Sequence, residues 1–325
     1  MDELVLGVDG GGSKTRALVA DASGKVLGSG GAESSNYQSV GFGPATDALR
    51  LAIDRALQAA GVASARPFAA ACFGLAGVDR PGEGELFEQW IAAQGLARLA
   101  VVVNDAELVL AGGTPAGSGI ALICGTGSIA YGRAPDGRTA RAGGWGHLLG
   151  DEGSGYDIGV QALRLAARTA DGRADAADLL HAVLAGWQLD HPSQLIGYCY
   201  RPEMTRAEIA GLARQVIALA EQGDVHARLI LERAADELGR VVAAVMRQLT
   251  LERPPIALGG GLLGPSSWLQ RAVLAQHEHT WGPAQYVGEP AIGAVIIARR
   301  LVEQPSAPVG ELTSPGRSPA ATAKS

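Results

Sequence analysis

A chain of 325 residues, 47% of them hydrophobic, can bury a large core, and its length predicts two domains rather than one. A formal net charge of -6 carries no basic excess, which argues against a phosphate-neutralising nucleic-acid surface and points to small partners. Three separated cysteines (Cys72, Cys124, Cys199) exclude a Cys-x-x-Cys metal site, argue against a disulfide framework and suit a reducing cytoplasm; no apolar run reaches the ~20 residues of a membrane span.

The N-terminus starts acidic, without the basic and apolar regions of a secretory signal, and passes into strands predicted at 3–9, 15–21 and 25–29. "TDALRLAIDRALQAAG" places Leu49, Ala52, Ile53, Ala56 and Leu57 at helical spacing, with Thr46 as the expected N-cap and Gly61 as the stop. A strand at 68–74, a helix at 83–94 and a strand at 99–103 follow, and this alternation implies an α/β fold with a mostly parallel sheet under helices. "GIALICGTGSIAYGRAPDGRTARAGG" then repeats the opening pattern, with glycine turns at 125–127 and Gly137 echoing those at 10–12 and Gly24. The middle is helical: "TRAEIAGLARQVIALAEQG" opens on the capping box Thr205 and Glu208, and a long amphipathic helix follows through 245. The strand "PIALGG", a helix, a strand at 284–287 and a last helix from Pro290 complete the fold; the Pro- and Ser-rich tail 304–325 is expected to be disordered.

"VDGGGSKTRALVAD" raises the question of what a glycine run ending in Lys14-Thr15 is for. A P-loop demands glycine where Ser13 stands, and a dinucleotide fingerprint demands it at Thr15, so neither motif fits. A glycine turn between antiparallel strands offers backbone N–H groups to an anion without needing a helix, because glycine reaches positive φ at little cost. Two such hairpins, at 10–13 and 125–128, with hydroxyls on Ser13, Thr15, Thr126 and Ser128, could hold a polyphosphate from both sides; either alone could be an ordinary tight turn.

Asp9 beside the first turn would repel phosphate without an intervening cation, which makes it a candidate Mg²⁺ holder, through water; a turn-capping Asp is the alternative. Asp105 ends the strand "LAVVVNDA" at the rim where open α/β sheets place ligands, and can serve as general base, as helix N-cap, or as both. "GGWGHLLGDEGSG" (143–155) has the glycine density of a backbone closely fitted to something: Asp151 can accept from sugar hydroxyls, Trp145 can support a pocket wall, and "DEGS" can cap the next helix. "LGGGLLG" (258–264) can lie flat against a base or ribose, or be a plain strand-to-helix turn.

In order along residues 4 to 302, "GVDGGGSKT", "VNDAE", "CGTGSIAYG", "GGWGHLLGDEGS", "LGGGLLG" and "EPAIGA" resemble the N-acetylglucosamine kinases within the benzoyl-CoA-reductase-activator (BadF/BadG/BcrA/BcrD) ATPase family, of the actin, hexokinase and heat-shock chaperone superfamily. The resemblance implies two ribonuclease-H-like domains around a central cleft: 1–115 completed by a helix at 289–303, and 116–288 with a helical insertion. It implies ATP and Mg²⁺ as cofactors, a small amino sugar as substrate, transfer to its 6-hydroxyl, and a homodimer. The ATP side would take Gly11, Gly12, Ser13, Lys14, Thr15, Gly125, Thr126, Gly127, Gly260, Gly261 and Gly264, with Ala220 near adenine. The sugar side would take Asn36, Ser128, Ile129, Gly144, Trp145 and Asp151, with Asp105 as base and Asp9 toward the metal.

Ile129 stands where the mammalian kinases have Asn, which leaves glucosamine, N-acetylmuramic acid and N-acetylmannosamine open as substrates. A different class is an ATPase that energises electron transfer to an acyl-CoA dehydratase or reductase. Its iron–sulfur cluster needs available thiolates, whereas Cys124 falls in the hairpin and Cys72 in a core strand.

Overall fold

The computed structural model describes residues 3–62, 67–78 and 82–303, so the tail expected to be disordered at 304–325 lies outside the described residues. The chain divides into two compact units. The first takes Met1–Asp105, Asp136–Thr139 and Ala294–Ser325, so far as these are described; the second takes Ala106–Pro135 and Ala140–Gly293.

In the first unit, β1 (Val5–Gly10), β2 (Thr15–Ala20) and β3 (Val26–Ala32) form an antiparallel meander, because short turns at 11–14 and 21–25 reverse the chain twice. β4 (Phe68–Leu75) and β5 (Ala97–Asn104) join it in parallel, giving the order β3-β2-β1-β4-β5. After β3 comes one turn of helix, α1 (Tyr37–Val40), followed by α2 (Phe42–Ala59), which buries Ala45, Leu49, Ala52, Ile53, Ala56 and Leu57. α2 starts four residues before the expected cap: Gly41, at φ 86°, turns the chain into it, and Thr46 lies inside with its hydroxyl donating to the Gly43 carbonyl at 2.8 Å. α3 (Glu85–Ala93) follows β4 and buries Phe87 and Ile91 in the same core as α2.

The second unit starts with α4, whose helix is Asp105–Gly113, and continues into β6 (Gly119–Cys124), β7 (Ser128–Arg133) and β8 (Thr139–Gly143). With β9 (Ile256–Gly259) and β10 (Ala284–Tyr286), these strands take the order β10-β9-β6-β7-β8, with β6 antiparallel to β7 and parallel to β9. Lowering each strand number by five reproduces the first sheet, so the echo in the sequence is an echo in topology.

Between β8 and β9 lie α5 (Gly155–Ala170), α6 (Ala177–Gly186), α7 (Gln194–Cys199), α8 (Arg206–Gly211), α9 (Ala213–Gln222) and α10 (Val225–Leu249). The Thr205 and Glu208 capping box forms in full, yet the helix expected to run on from it breaks into α8 and α9 at Leu212, next to Gly211. α10 packs on β7 through Val245 and Leu249, made possible by Gly132, where a Cβ would fall 2.5 Å from Val245. α11 (Trp268–His277) and α12 (Pro290–Glu303) complete the described elements. Among the described residues, no helix is long and apolar enough to cross a membrane.

The α2 helix can approach β3 because Gly28 and Gly30 share one face of that strand: a Cβ at Gly30 would lie 2.1 Å from the Ala52 carbonyl oxygen and 2.5 Å from the Ala56 nitrogen. Both atoms are backbone and cannot rotate away. Gly30→Ala is therefore expected to destabilise the protein by about 1–3 kcal/mol in urea unfolding; an unchanged midpoint would contradict this packing.

Candidate active site

Parallel pairing in the first unit aligns Gly10 with Leu75, and Leu75 with Asn104, across one edge of the sheet. Asp9 on β1 and Asp105 immediately after β5 are thus on the same carboxyl-end rim, two strands apart, about 10 Å at ordinary strand spacing. The turn above Asp9 is closed by a bond from the Gly11 N–H to the Lys14 carbonyl at 3.0 Å, and exposes Gly12, Ser13 and Lys14. Thr15 is buried instead; its hydroxyl donates to the Glu33 carbonyl at 2.7 Å, which fixes the end of β3 to the turn.

Asn36 lies beside the same turn. Its side-chain oxygen accepts from the Gln38 N–H at 3.1 Å and caps α1, while its amide nitrogen is 3.9 Å from where a Cβ on Gly12 would stand. Ser34, not singled out in the sequence, donates to the Gly11 carbonyl at 3.3 Å.

In the second unit, the turn 125–127 is gripped by backbone from three directions. Gly125 N–H closes the turn on the Gly127 carbonyl at 2.9 Å; Gly155 N–H donates to the Gly125 carbonyl at 2.8 Å and Tyr156 N–H to Thr126 at 3.2 Å. Leu262 N–H, from the "LGGGLLG" turn, donates to the Cys124 carbonyl at 3.2 Å. Gly260 stands at φ 86° against that carbonyl, where a Cβ would fall 2.2 Å away. Space is open over Gly125 and Gly261, where an added Cβ would meet nothing within 4 Å. The turn is held from below and open over Gly125, and with the Gly125 and Ser128 N–H groups engaged, those of Thr126 and Gly127 are the ones an anion would meet.

Asp151 is 7% exposed at φ 62°, a conformation that Asp tolerates better than most residues. Its carboxylate accepts from the Ser128 N–H at 3.2 Å and lies against Gly127, and burial pushes its pKa up, with the Ser128 bond pulling the other way. Ser128 donates its hydroxyl to the Glu152 carbonyl at 2.8 Å, and its own carbonyl accepts from Gly144 N–H at 3.0 Å. Gly144, at φ 69°, faces Ile129, whose Cδ1 would be 2.8 Å from a Cβ there.

Ser154 caps α5 by accepting from the Asp157 N–H, the role expected of "DEGS". Gly125, Thr126, Gly127, Ser128, Ile129, Gly144, Asp151 and Gly260 are thus bonded or packed together. Ala220, in α9, is fully buried, and a Cβ on Gly264 would stand 3.9 Å from the Tyr286 hydroxyl. Trp145, expected to support a wall, is 66% exposed, with the Arg141 guanidinium 5.9 Å from its ring centroid. Burial pushes the Cys124 thiol up to about 12, and that thiol donates to the Gly153 carbonyl at 3.4 Å.

Asp151→Ala removes the acceptor for Ser128 N–H and leaves a residue poorly suited to φ 62°. It is expected to cost about 1–3 kcal/mol in denaturant unfolding, with Asp151→Asn costing clearly less; equal losses would contradict the role given to the backbone conformation.

Comparison with known proteins bears on the chemistry. The chain is 38% identical, over 302 residues, to an N-acetylmuramic acid/N-acetylglucosamine kinase of Clostridium acetobutylicum, covering 91% of this chain and 98% of the relative. It is 30% identical to an N-acetyl-D-glucosamine kinase of Dictyostelium discoideum, with the same 91% and 98% coverage. Among solved structures, a candidate N-acetylglucosamine kinase from Chromobacterium violaceum superposes with a TM-score of 0.75 at 28% identity, covering 91% of this chain and 99% of that one. A glucokinase from Streptomyces griseus, solved with glucose and an ATP analogue, superposes at 0.60 and 20% identity over 91% of this chain and 99% of its own, which supports the actin-like ATPase fold. The model of the BadF/BadG/BcrA/BcrD ATPase family matches residues 6–298, and this chain belongs to that family.

Proposed function

We propose that this protein is an ATP-dependent kinase that transfers the γ-phosphoryl group to the 6-hydroxyl of N-acetylglucosamine or a close amino sugar. The observation that carries the reading is the pair of glycine turns, each at the junction of an antiparallel hairpin in its own five-stranded sheet, with Asp105 at the rim of the first. The kinase relatives over nearly their whole length support the substrate class.

In this reading the exposed Ser13 and Lys14 and the backbone of Gly11 and Gly12 meet phosphate from one turn, and Gly125, Thr126 and Gly127 from the other. At Gly125 and Gly261 a side chain would meet nothing within 4 Å, which lets phosphate or ribose approach the backbone there. Asp9, an oxygen donor beside the first turn, suits Mg²⁺ held through water, and the ion would offset phosphate charge. Asn36, Ser128, Ile129, Gly144, Trp145 and Asp151 belong to the sugar side, Gly260, Gly264 and Ala220 to the nucleoside side. Asp105 takes the proton from the sugar hydroxyl as its oxygen forms the bond to phosphorus and ADP leaves. A cytoplasmic homodimer completes the reading.

The buried setting of Cys72 and Cys124 gives no support to the cluster-bearing activator alternative. The test is phosphorylation of a panel of N-acetylglucosamine, N-acetylmuramic acid, N-acetylmannosamine and glucosamine with ATP and Mg²⁺. At least one sugar 6-phosphate should form; none from the panel would overturn the proposal. Asp105→Asn should lower turnover by about 10²- to 10⁴-fold while nucleotide binding is unchanged, and undiminished turnover would assign the base elsewhere.

A further inference from the structure

The second unit holds one buried ion pair that the reaction as described does not use. Glu107, in the first turn of α4, is 5% exposed and accepts from the Arg133 guanidinium at the end of β7. The Tyr131 phenol, itself 5% exposed, lies beside the same carboxylate. Tyr131 and Arg133 are two residues apart on β7 and so share a face of the sheet. Ala106, Val109 and Leu110 of α4 pack on that face with Tyr131, Ala121 and Ala257.

Everything else that α4 buries is glycine or an aliphatic side chain: Ala106, Leu108, Val109, Leu110, Ala111 and Gly113. Apolar contact is non-directional: it holds α4 in place, with the Leu108 carbonyl packed where a Cβ on Gly293 would fall 1.9 Å away, but supplies no directional bond that singles out one rotation of the helix. A buried carboxylate bonded to a guanidinium on the facing strand has one satisfactory orientation, since turning the helix by one residue, ~100°, would strand the charge. Asp105 is the first residue of the same helix, two positions before Glu107.

We propose that Glu107, Arg133 and Tyr131 are positioning residues: they fix the rotation of α4, and through it the aim of the Asp105 carboxylate. This rests on Asp105 acting as general base. Burial pushes the Glu107 carboxyl up, while Arg133 and Tyr131 beside it oppose that shift. A pair kept only for stability would gain nothing over apolar residues of the same volume, because burying two charges costs about as much as their attraction returns.

The test compares the unmodified protein with Glu107→Gln, Tyr131→Phe and the double variant Glu107→Met with Arg133→Met, reading kcat, the KM for sugar, ATP-analogue affinity and thermal midpoint. The double variant is expected to keep its midpoint and nucleotide affinity while kcat falls about 10²-fold, the order of loss seen when a reacting group is misplaced by about 1 Å. Glu107→Gln and Tyr131→Phe, which keep part of the network, should lose less, with KM within twofold. A double variant that is folded and keeps kcat within threefold of the unmodified protein overturns the proposal. Should the double variant not fold, the proposal stands or falls on the two conservative variants, and unchanged kcat in both overturns it. No turnover by the unmodified protein would instead overturn the kinase reading, and this inference with it; turnover unaffected by the variants would overturn the inference alone.

Discussion

The carbonyl of Cys124 is the point on which the second unit's site is built. It ends β6, accepts from Leu262, and lies so close to Gly260 that a single added carbon there would come within 2.2 Å of it. One turn beyond, Gly155 and Tyr156 hold the carbonyls of Gly125 and Thr126. Three segments far apart in sequence, at 125–127, 143–155 and 258–264, thus meet backbone to backbone, and glycine is required at Gly155 and Gly260, where an added Cβ would fall 2.8 and 2.2 Å from a carbonyl oxygen. With its carbonyls engaged below, the turn presents the Thr126 and Gly127 N–H groups, beside open space over Gly125, to an anion.

That dependence explains what could be read from the residues alone. Close backbone approach writes glycine into the chain, so the turns at 10–12 and 125–127, the glycine-dense 143–155 segment and "LGGGLLG" were all visible, as was the repeated strand pattern. The bonds that join them were not. Nothing in the spacing says that Gly155 finds Gly125, or that Ser34 finds Gly11, because these contacts are made by groups that every residue carries. Local signals failed where the backbone overrode them: Thr46 has the chemistry of a cap, but Gly41 at φ 86° had already turned the chain into α2. Gly211 marks the break between α8 and α9, although the apolar spacing runs through it. Trp145 carries the bulk of a wall residue but stands mostly in water.

The buried pair of Glu107 and Arg133 was missed for a different reason. The partners are 26 residues apart and on different elements, and nothing in the spacing of "DAELVLAGG" pairs Glu107 with Arg133. Only the packing of α4 over the β6, β7 and β9 face brings them together. Two sheets of one topology thus carry different cargo at equivalent places: the first ends its parallel strands in carboxylates at Asp9 and Asp105, while the second surrounds its turn with glycine and keeps Asp151 tied to Ser128.

The proposed kinase activity requires the glycine turn of each unit to bind the phosphates of ATP. Amide hydrogen exchange of the full chain, with and without a non-hydrolysable ATP analogue and Mg²⁺, tests it most directly. Slower exchange is predicted in the peptides spanning Gly11–Lys14 and Gly125–Ser128 together, over the same range of nucleotide concentration; protection confined to one turn, or to neither, would contradict it.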